Sequence, residues 1–242
     1  MPVMVDLWSW LRLRRVPKHP CIMENEKLFK SFDQNRNVED YDFVCFDTEL
    51  TGLSVRHDQI VSIGAVRIRD LRIIAGENFF TYIQPTRDLP KDSTLIHRIT
   101  PQQIKRAPTA ADVLPEFVEY CADSLLLGHY VLLDLAFLNR ALVKTLGGKI
   151  KNPSLDSVKI AAALHLHRQK HERAVGKKGQ RAFNLNKLAV EHGIPLFEQH
   201  DALEDALQTA YLFLFLVKNL NQVGYKTLKD FLRAGTNIPD VF

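Results

Sequence analysis

The chain has 242 residues, 46% hydrophobic and 25% charged, the make-up of an ordinary globular protein with one sizeable domain and room for an appendage. Its formal charge of +4 is concentrated: residues 168–181, RQKHERAVGKKGQR, hold six Lys/Arg against one Glu, which leaves the rest slightly negative and marks a patch suited to a phosphate-bearing partner. Three widely spaced cysteines without a CxxC pair exclude a zinc ribbon and a disulfide scaffold and fit a reducing, cytoplasmic setting, and no run reaches the ~20 apolar residues of a membrane span or has a signal-peptide pattern.

Residues 1–40 are expected to form an N-terminal arm, with a short amphipathic helix setting Trp8, Trp10 and Leu11 against Arg12, Arg14 and Arg15. Such a segment docks on a protein partner or a membrane surface, or packs on its own domain. From Tyr41, three runs with short gaps, YDFVCFDTEL, QIVSIGAVRI and ENFFTYIQP, predict an antiparallel meander. After Pro85 the pattern changes. ITPQQIKRA and TAADVLPEFVEYCAD read as helices, SLLLGHY as a short buried strand, and LLDLAFLNRALVKTLGG as a helix closed by glycine. PSLDSVKIAAALHLH, the basic loop, NLNKLAVEHGIP, a long helix over about 202–220 and a short one in YKTLKDFLRAG complete the chain. A meander followed by alternating helix and strand is an α/β or mixed fold.

Within this pattern several acids stand where acids are costly. Asp47 and Glu49 lie two apart in an apolar strand, so both carboxylates project from one face, ~7 Å apart along the backbone. Asp134 heads a helical stripe that continues through Phe137, Leu138, Ala141 and Leu142. Asp205 is followed at i+4, i+7 and i+11 by Thr209, Leu212 and Leu216 on a largely apolar helix. Taken alone, Asp134 also fits a first-turn acid stabilised by the helix dipole, and His200 a loop residue or cap. Taken together, four inward carboxylates from three elements, with no inward Lys or Arg, call for a divalent cation. Oxygen-only ligands favour Mg²⁺ or Mn²⁺ over zinc, and four carboxylates can hold two such ions ~4 Å apart, an arrangement suited to phosphoryl displacement.

FDTELTGL, GHYVLLDLAFL and HDALEDA, in that order and with His200 five residues before Asp205, resemble the three motifs of the DEDDh branch of the DnaQ-like 3′→5′ exonucleases, a family that includes the epsilon proofreading subunit of bacterial replicative polymerase and RNase T. TLIHRITPQQI is similar to that family's His-x-Ile-Thr segment and SLDSVKIA to its LDT-like strand end. The resemblance runs from about Phe43 to Leu220. It implies an RNase H-like fold: a mixed five-stranded sheet, antiparallel meander then parallel strands, flanked by helices. The implied domain is 41–222, between the arm and a C-terminal helix and tail at 223–242.

By position, the resemblance makes Asp47, Glu49, Asp134 and Asp205 the ligands of two divalent cations, Mg²⁺ or Mn²⁺, and His200 the general base. It places Thr48, Thr51, Gly52, Leu53, His129 and Tyr130 at the terminal nucleotide, with Tyr130 where the family usually has Asn and Leu133 where it usually has Phe. Lys177 and Lys178, in the basic loop, are expected to hold the nucleic-acid backbone. The implied reaction is hydrolysis of the terminal phosphodiester of a single-stranded DNA 3′ end, releasing a nucleoside 5′-monophosphate, in proofreading or repair. The alternatives are an RNA 3′ exonuclease of the RNase T or oligoribonuclease type, and a nucleic-acid-binding module recruited through the arm with weak activity. The exonuclease-like pattern ends near Leu220, so a stand-alone or differently recruited enzyme is expected over a dedicated proofreading subunit.

Overall fold

Period-two burial organises the centre of the molecule. Along strand β1 (Phe43–Leu50), Phe43 and Cys45 point to one face and Val44 and Phe46 to the other, and all four are buried. This is the behaviour of a central strand covered on both sides. The computed structural model describes residues 16–171 and 183–234. β2 (Ile60–Arg69) and β3 (Arg72–Tyr82) follow β1 as the expected antiparallel meander, in register from Phe43↔Ile68 to Leu50↔Ile60 on the inner pair. α2 (Lys91–His97), α3 (Pro101–Lys105) and α4 (Ala110–Cys121) then lead to β4 (Leu125–Gly128), which pairs parallel with β1. α5 (Val131–Leu146) crosses to β5 (Ser154–Asp156), parallel to β4. The sheet order is β3-β2-β1-β4-β5. It is the mixed five-stranded sheet expected from the sequence.

α6 (Ser157–His171), α7 (Leu185–His192), α8 (Ala202–Gln222) and α9 (Leu228–Ala234) complete the described chain. Two cores result. Phe43, Cys45, Leu125 and Leu127 pack with Phe213, Leu216 and Leu220 of α8 on one face. Val44, Phe46 and Leu126 pack with Phe117 of α4 and Leu138 and Leu142 of α5 on the other.

The segment before β1 is part of this body wherever it is described. Helix α1 (Pro20–Leu28) buries Ile22 fully, and Asn25 lies between an accepting Asn152 carbonyl at 2.5 Å and a donating Lys151 N–H at 2.7 Å. Gly147, with φ +73°, closes α5 where a Cβ would come within 2.3 Å of the Val16 carbonyl oxygen. Farther on, Leu228 N–H donates to Arg36 O and Val38 N–H to Lys226 O, so the chain entering β1 is bound to the start of α9. Trp8 and Trp10 lie outside the described residues. All three cysteines are free and buried. No described helix is long and apolar enough to cross a membrane.

Candidate active site

β4 pairs with β1 only as far as Cys45↔Leu127. Beyond that point, on the β4 side, β1 continues without a neighbouring strand, and this is where its acids sit. The first turn of α5, which begins just after β4 ends, moves into the gap. There Asp134 Oδ1 accepts from the Thr48 backbone N–H at 3.1 Å and from its hydroxyl at 2.5 Å. A carboxylate thus takes up a backbone donor that a strand would otherwise satisfy. Asp134 is 6% exposed, and the stripe below it, Phe137, Leu138 and Leu142, is buried as the spacing predicts.

Asp47 and Glu49 continue the face of Phe43 and Cys45, toward α8. Opposite Asp47 in register stands Gly64 of β2. A Cβ there would lie 2.2 Å from the Ala202 carbonyl carbon and the Leu203 nitrogen, so only glycine lets the start of α8 rest on the strand backbone. This close approach delivers Asp205, in the first turn of α8, to the acids of β1. The loop before α8 turns through His200 at φ +62°, and the His200 N–H donates to Asp205 Oδ2 at 2.9 Å. Asp201 caps the helix by accepting from the Leu203 and Glu204 N–H groups. Ligand-type atoms of Glu49, His200 and Asp205 lie within 4.8 Å of one another.

The electrostatics follow from crowding like charges in a dry place. Burial raises the Asp47 carboxyl well above its usual range, and Asp134, Asp205, Glu49 and Asp201 raise it further, in that order. Burial likewise pushes Glu49 to about 8, with Asp205, Asp134 and Asp201 adding to it. Asp134 is pushed to about 7 by burial, against the opposing Thr48 hydrogen bonds. Asp205 is pushed to about 6 by burial, against the His200 N–H and ring. Among the described residues, no Lys or Arg forms an ion pair with any of the four. An all-oxygen set whose members destabilise one another fits hard divalent cations, whose charge removes that repulsion.

The structure brings Asp47, Glu49, Asp134, Asp205 and His200 together, and distributes the other sequence-selected residues differently. Thr48 faces Asp134. Thr51 and Gly52 begin a loop organised by Asp58, which accepts from the Thr51 hydroxyl at 3.1 Å and the Ser54 N–H at 2.9 Å. Leu53, in that loop, is 76% exposed. His129 uses both ring nitrogens within the fold, Nδ1 with the Ser157 hydroxyl and Nε2 with Phe183 O, each at 2.8 Å. Since a carbonyl only accepts, Nε2 carries the proton, and burial holds the ring's pKa down at about 4. Tyr130, at φ +59°, opens α5, and its N–H donates to Asp156 Oδ1 at 3.2 Å. Lys177 and Lys178 lie outside the described residues. Sequence reasoning passed over Gly64, although a lone glycine in a strand pattern is a signal of close backbone approach.

A larger cavity, 570 Å³, lies between α4 and α5 and is lined in part by Leu114, Phe137 and Arg140; Asp47, Glu49, Asp134 and Asp205 do not border it. A smaller polar one, 140 Å³, reaches Glu49 and His200.

A family model described as Exonuclease matches residues 44–213. The PolC-type DNA polymerase III of Clostridium perfringens is 32% identical over 190 residues, covering 78% of this chain and 12% of that protein. The DNA polymerase III subunit epsilon of Aquifex aeolicus is 30% identical over 191 residues, covering 79% of this chain and 88% of that one. This chain therefore spans only a small part of the PolC-type proteins and most of the epsilon subunit. Among solved structures, E. coli exonuclease I in complex with a dT13 oligonucleotide aligns with a TM-score of 0.63 at 18% identity, over 76% of this chain and 42% of that one. A product-bound exonuclease I gives 0.65 at 18% identity, over 80% and 46%. At that identity the likeness is one of fold.

Proposed function

The chain belongs to the DnaQ-like exonuclease family, and from that membership we propose that it is a two-metal 3′→5′ exonuclease acting on single-stranded DNA ends. The observation that carries this reading is the convergence of Asp47, Glu49, Asp134 and Asp205 from three elements, with no Lys or Arg among the described residues paired to them. The exonuclease I structures that share the fold hold DNA oligonucleotides, which supports the choice of substrate.

In this reading the four carboxylates hold two Mg²⁺ or Mn²⁺ ions, which when bound supply positive charge to the attacking and departing oxygens of the phosphodiester. The chain's own residues do the rest. Asp205 fixes the backbone of His200 through its N–H. The His200 ring accepts the proton of the attacking water, and the terminal nucleotide leaves as a 5′-monophosphate. Thr48 orients Asp134 so that one carboxylate oxygen is engaged and the other remains for a cation. Leu53, exposed in the loop that follows β1, offers an apolar surface for the terminal nucleotide.

The test is digestion of matched 5′-labelled single-stranded DNA and RNA with Mg²⁺ or Mn²⁺, comparing wild type with Asp205→Ala. The expected result is a metal-dependent ladder shortening from the 3′ end, faster on DNA and reduced ~1,000-fold in the variant. Faster shortening of RNA would move the substrate to RNA. No shortening of either polymer with either metal would end the catalytic reading.

A further inference from the structure

Ser62 of β2 stands opposite Glu49 in register, so the two side chains share the face turned to α8. It is 1% exposed, and its hydroxyl has no hydrogen-bond partner. His97, the last residue of α2 and 5% exposed, approaches the same place from another element. Its Nδ1 accepts the Ile99 N–H at 3.0 Å, which in a neutral imidazole leaves the proton on Nε2. That nitrogen, too, is buried without a partner. Ser62, His97, Glu49 and His200 line one cavity of 140 Å³.

Buried polar groups are nearly always hydrogen-bonded, because an unsatisfied one loses its hydration with nothing in return. Two such groups facing one polar cavity point to a common bound partner. A water molecule needs only ~10–15 Å³ of such volume and two to four polar neighbours. The cavity provides both. His97 Nε2–H and the protonated ring nitrogen of His200 donate to the water, and Ser62 Oγ and the Glu49 carboxylate accept from it, which leaves the other His200 nitrogen free to take a proton. Burial, reinforced by His200 and opposed by a hydrogen bond to the residue's own backbone, lowers the His97 pKa, so the ring remains a neutral donor.

We propose that His97 and Ser62 are positioning residues that hold a water molecule between Glu49 and His200, and through it fix the His200 ring for the hydrolysis proposed above, on which this inference rests. His97 thus has two separable contacts: Nδ1 closes a backbone turn, and Nε2 serves the site.

Two amides separate those contacts, because Asn reproduces the near nitrogen and Gln the far one. Asn offers an acceptor to the Ile99 N–H and lacks the distal donor. Gln offers the distal donor and lacks the near acceptor. The expected result is that His97→Gln keeps kcat within ~3-fold of wild type. His97→Asn, His97→Ala and Ser62→Ala should lose ~10–100-fold in kcat with KM little changed. Thermal unfolding should rank the amides the other way, with His97→Asn the more stable. A near-wild-type rate in His97→Asn with a loss in His97→Gln would overturn the proposal, as would equal losses in both. Nitrogen-15 spectra of the histidine rings give a reading without substrate: the His200 ring signals should broaden in His97→Asn and Ser62→Ala and remain sharp in His97→Gln. A wild type inactive on both polymers would defeat the proposed function, and the ring spectra would then decide the water-mediated contact by themselves; unchanged His200 signals in all variants would overturn it.

Discussion

The two halves of β1 follow opposite rules. From Phe43 to Cys45 the strand has a neighbour on each edge, and as far as Phe46 it has an apolar core on each face with every side chain buried in hydrocarbon. From Asp47 to Leu50 it keeps β2 but not β4, and a carboxylate from α5 occupies the open edge. The first half is the kind of structure that holds a sheet together. The second collects like charges that work against folding until something positive joins them. One strand therefore runs from ordinary hydrocarbon into mutually repelling acids within a few residues.

Asp47→Asn gives the largest expected effect, because it removes charge from the second half and leaves the first unchanged. Hydrolysis should fall ~1,000-fold while the metal-free protein unfolds at a higher temperature than wild type. pH supplies the sign. The carboxyls of Asp205, Asp134 and Glu49 titrate near 6, 7 and 8 in the folded protein, above their ordinary values of 3.8, 3.8 and 4.5. A raised carboxyl contributes stability fully below its unfolded value and loses it as pH rises through the folded one. The metal-free wild type should therefore lose stability across pH 5 to 8, more steeply than Asp47→Asn. Added Mg²⁺ should recover more at the alkaline end. A melting temperature that is flat or rising over that interval in the metal-free protein would remove the contrast between the halves.

Gly64→Ala tests whether the contrast depends on close packing. The added methyl must displace the backbone at Ala202 and Leu203, so α8 withdraws and carries Asp205 and His200 away from β1. Overpacking of this kind costs ~1–3 kcal/mol. Activity should drop ~10–100-fold, since displaced supporting contacts have effects of that size on metal sites. Stability lost with full activity retained would mean that the acids find one another without the approach at Gly64.

How much of this was legible beforehand also divides along β1. The apolar strand through Phe43–Phe46, the meander and the glycine-closed α5 followed from composition, periodicity and local signals, which short-range sterics enforce. The acids were legible because each violates its element's pattern: Asp134 heads an apolar stripe and Asp205 an almost wholly apolar helix. What the sequence left hidden depends on tertiary approach. His129 looked available for substrate, yet Ser157 and Phe183 O, distant in sequence, engage both its nitrogens. Ser62 carried no sequence signal at all; its position opposite Glu49 depends on the β1–β2 register. The segment ahead of β1 had two readings, and from residue 16 onward its packing rests on partners such as Asn152 and Lys226, more than a hundred residues away.

The smallest expected effect concerns the rim outside the acids. Arg98, just after His97, pairs with Glu198, two residues before His200, so one ion pair bridges the end of α2 and the loop before α8. Both side chains are mostly exposed, 70% and 66%, and water screens the attraction. Exposed pairs contribute ~0.2–1 kcal/mol, so Arg98→Ala should change kcat by no more than ~3-fold, and less at high salt. A loss as large as that of Gly64→Ala would show that the two segments need a latch. The burial that makes each carboxylate of β1 decisive would then extend outward to charges that stand in solvent, and the contrast between the halves of the strand would no longer mark the boundary of the site.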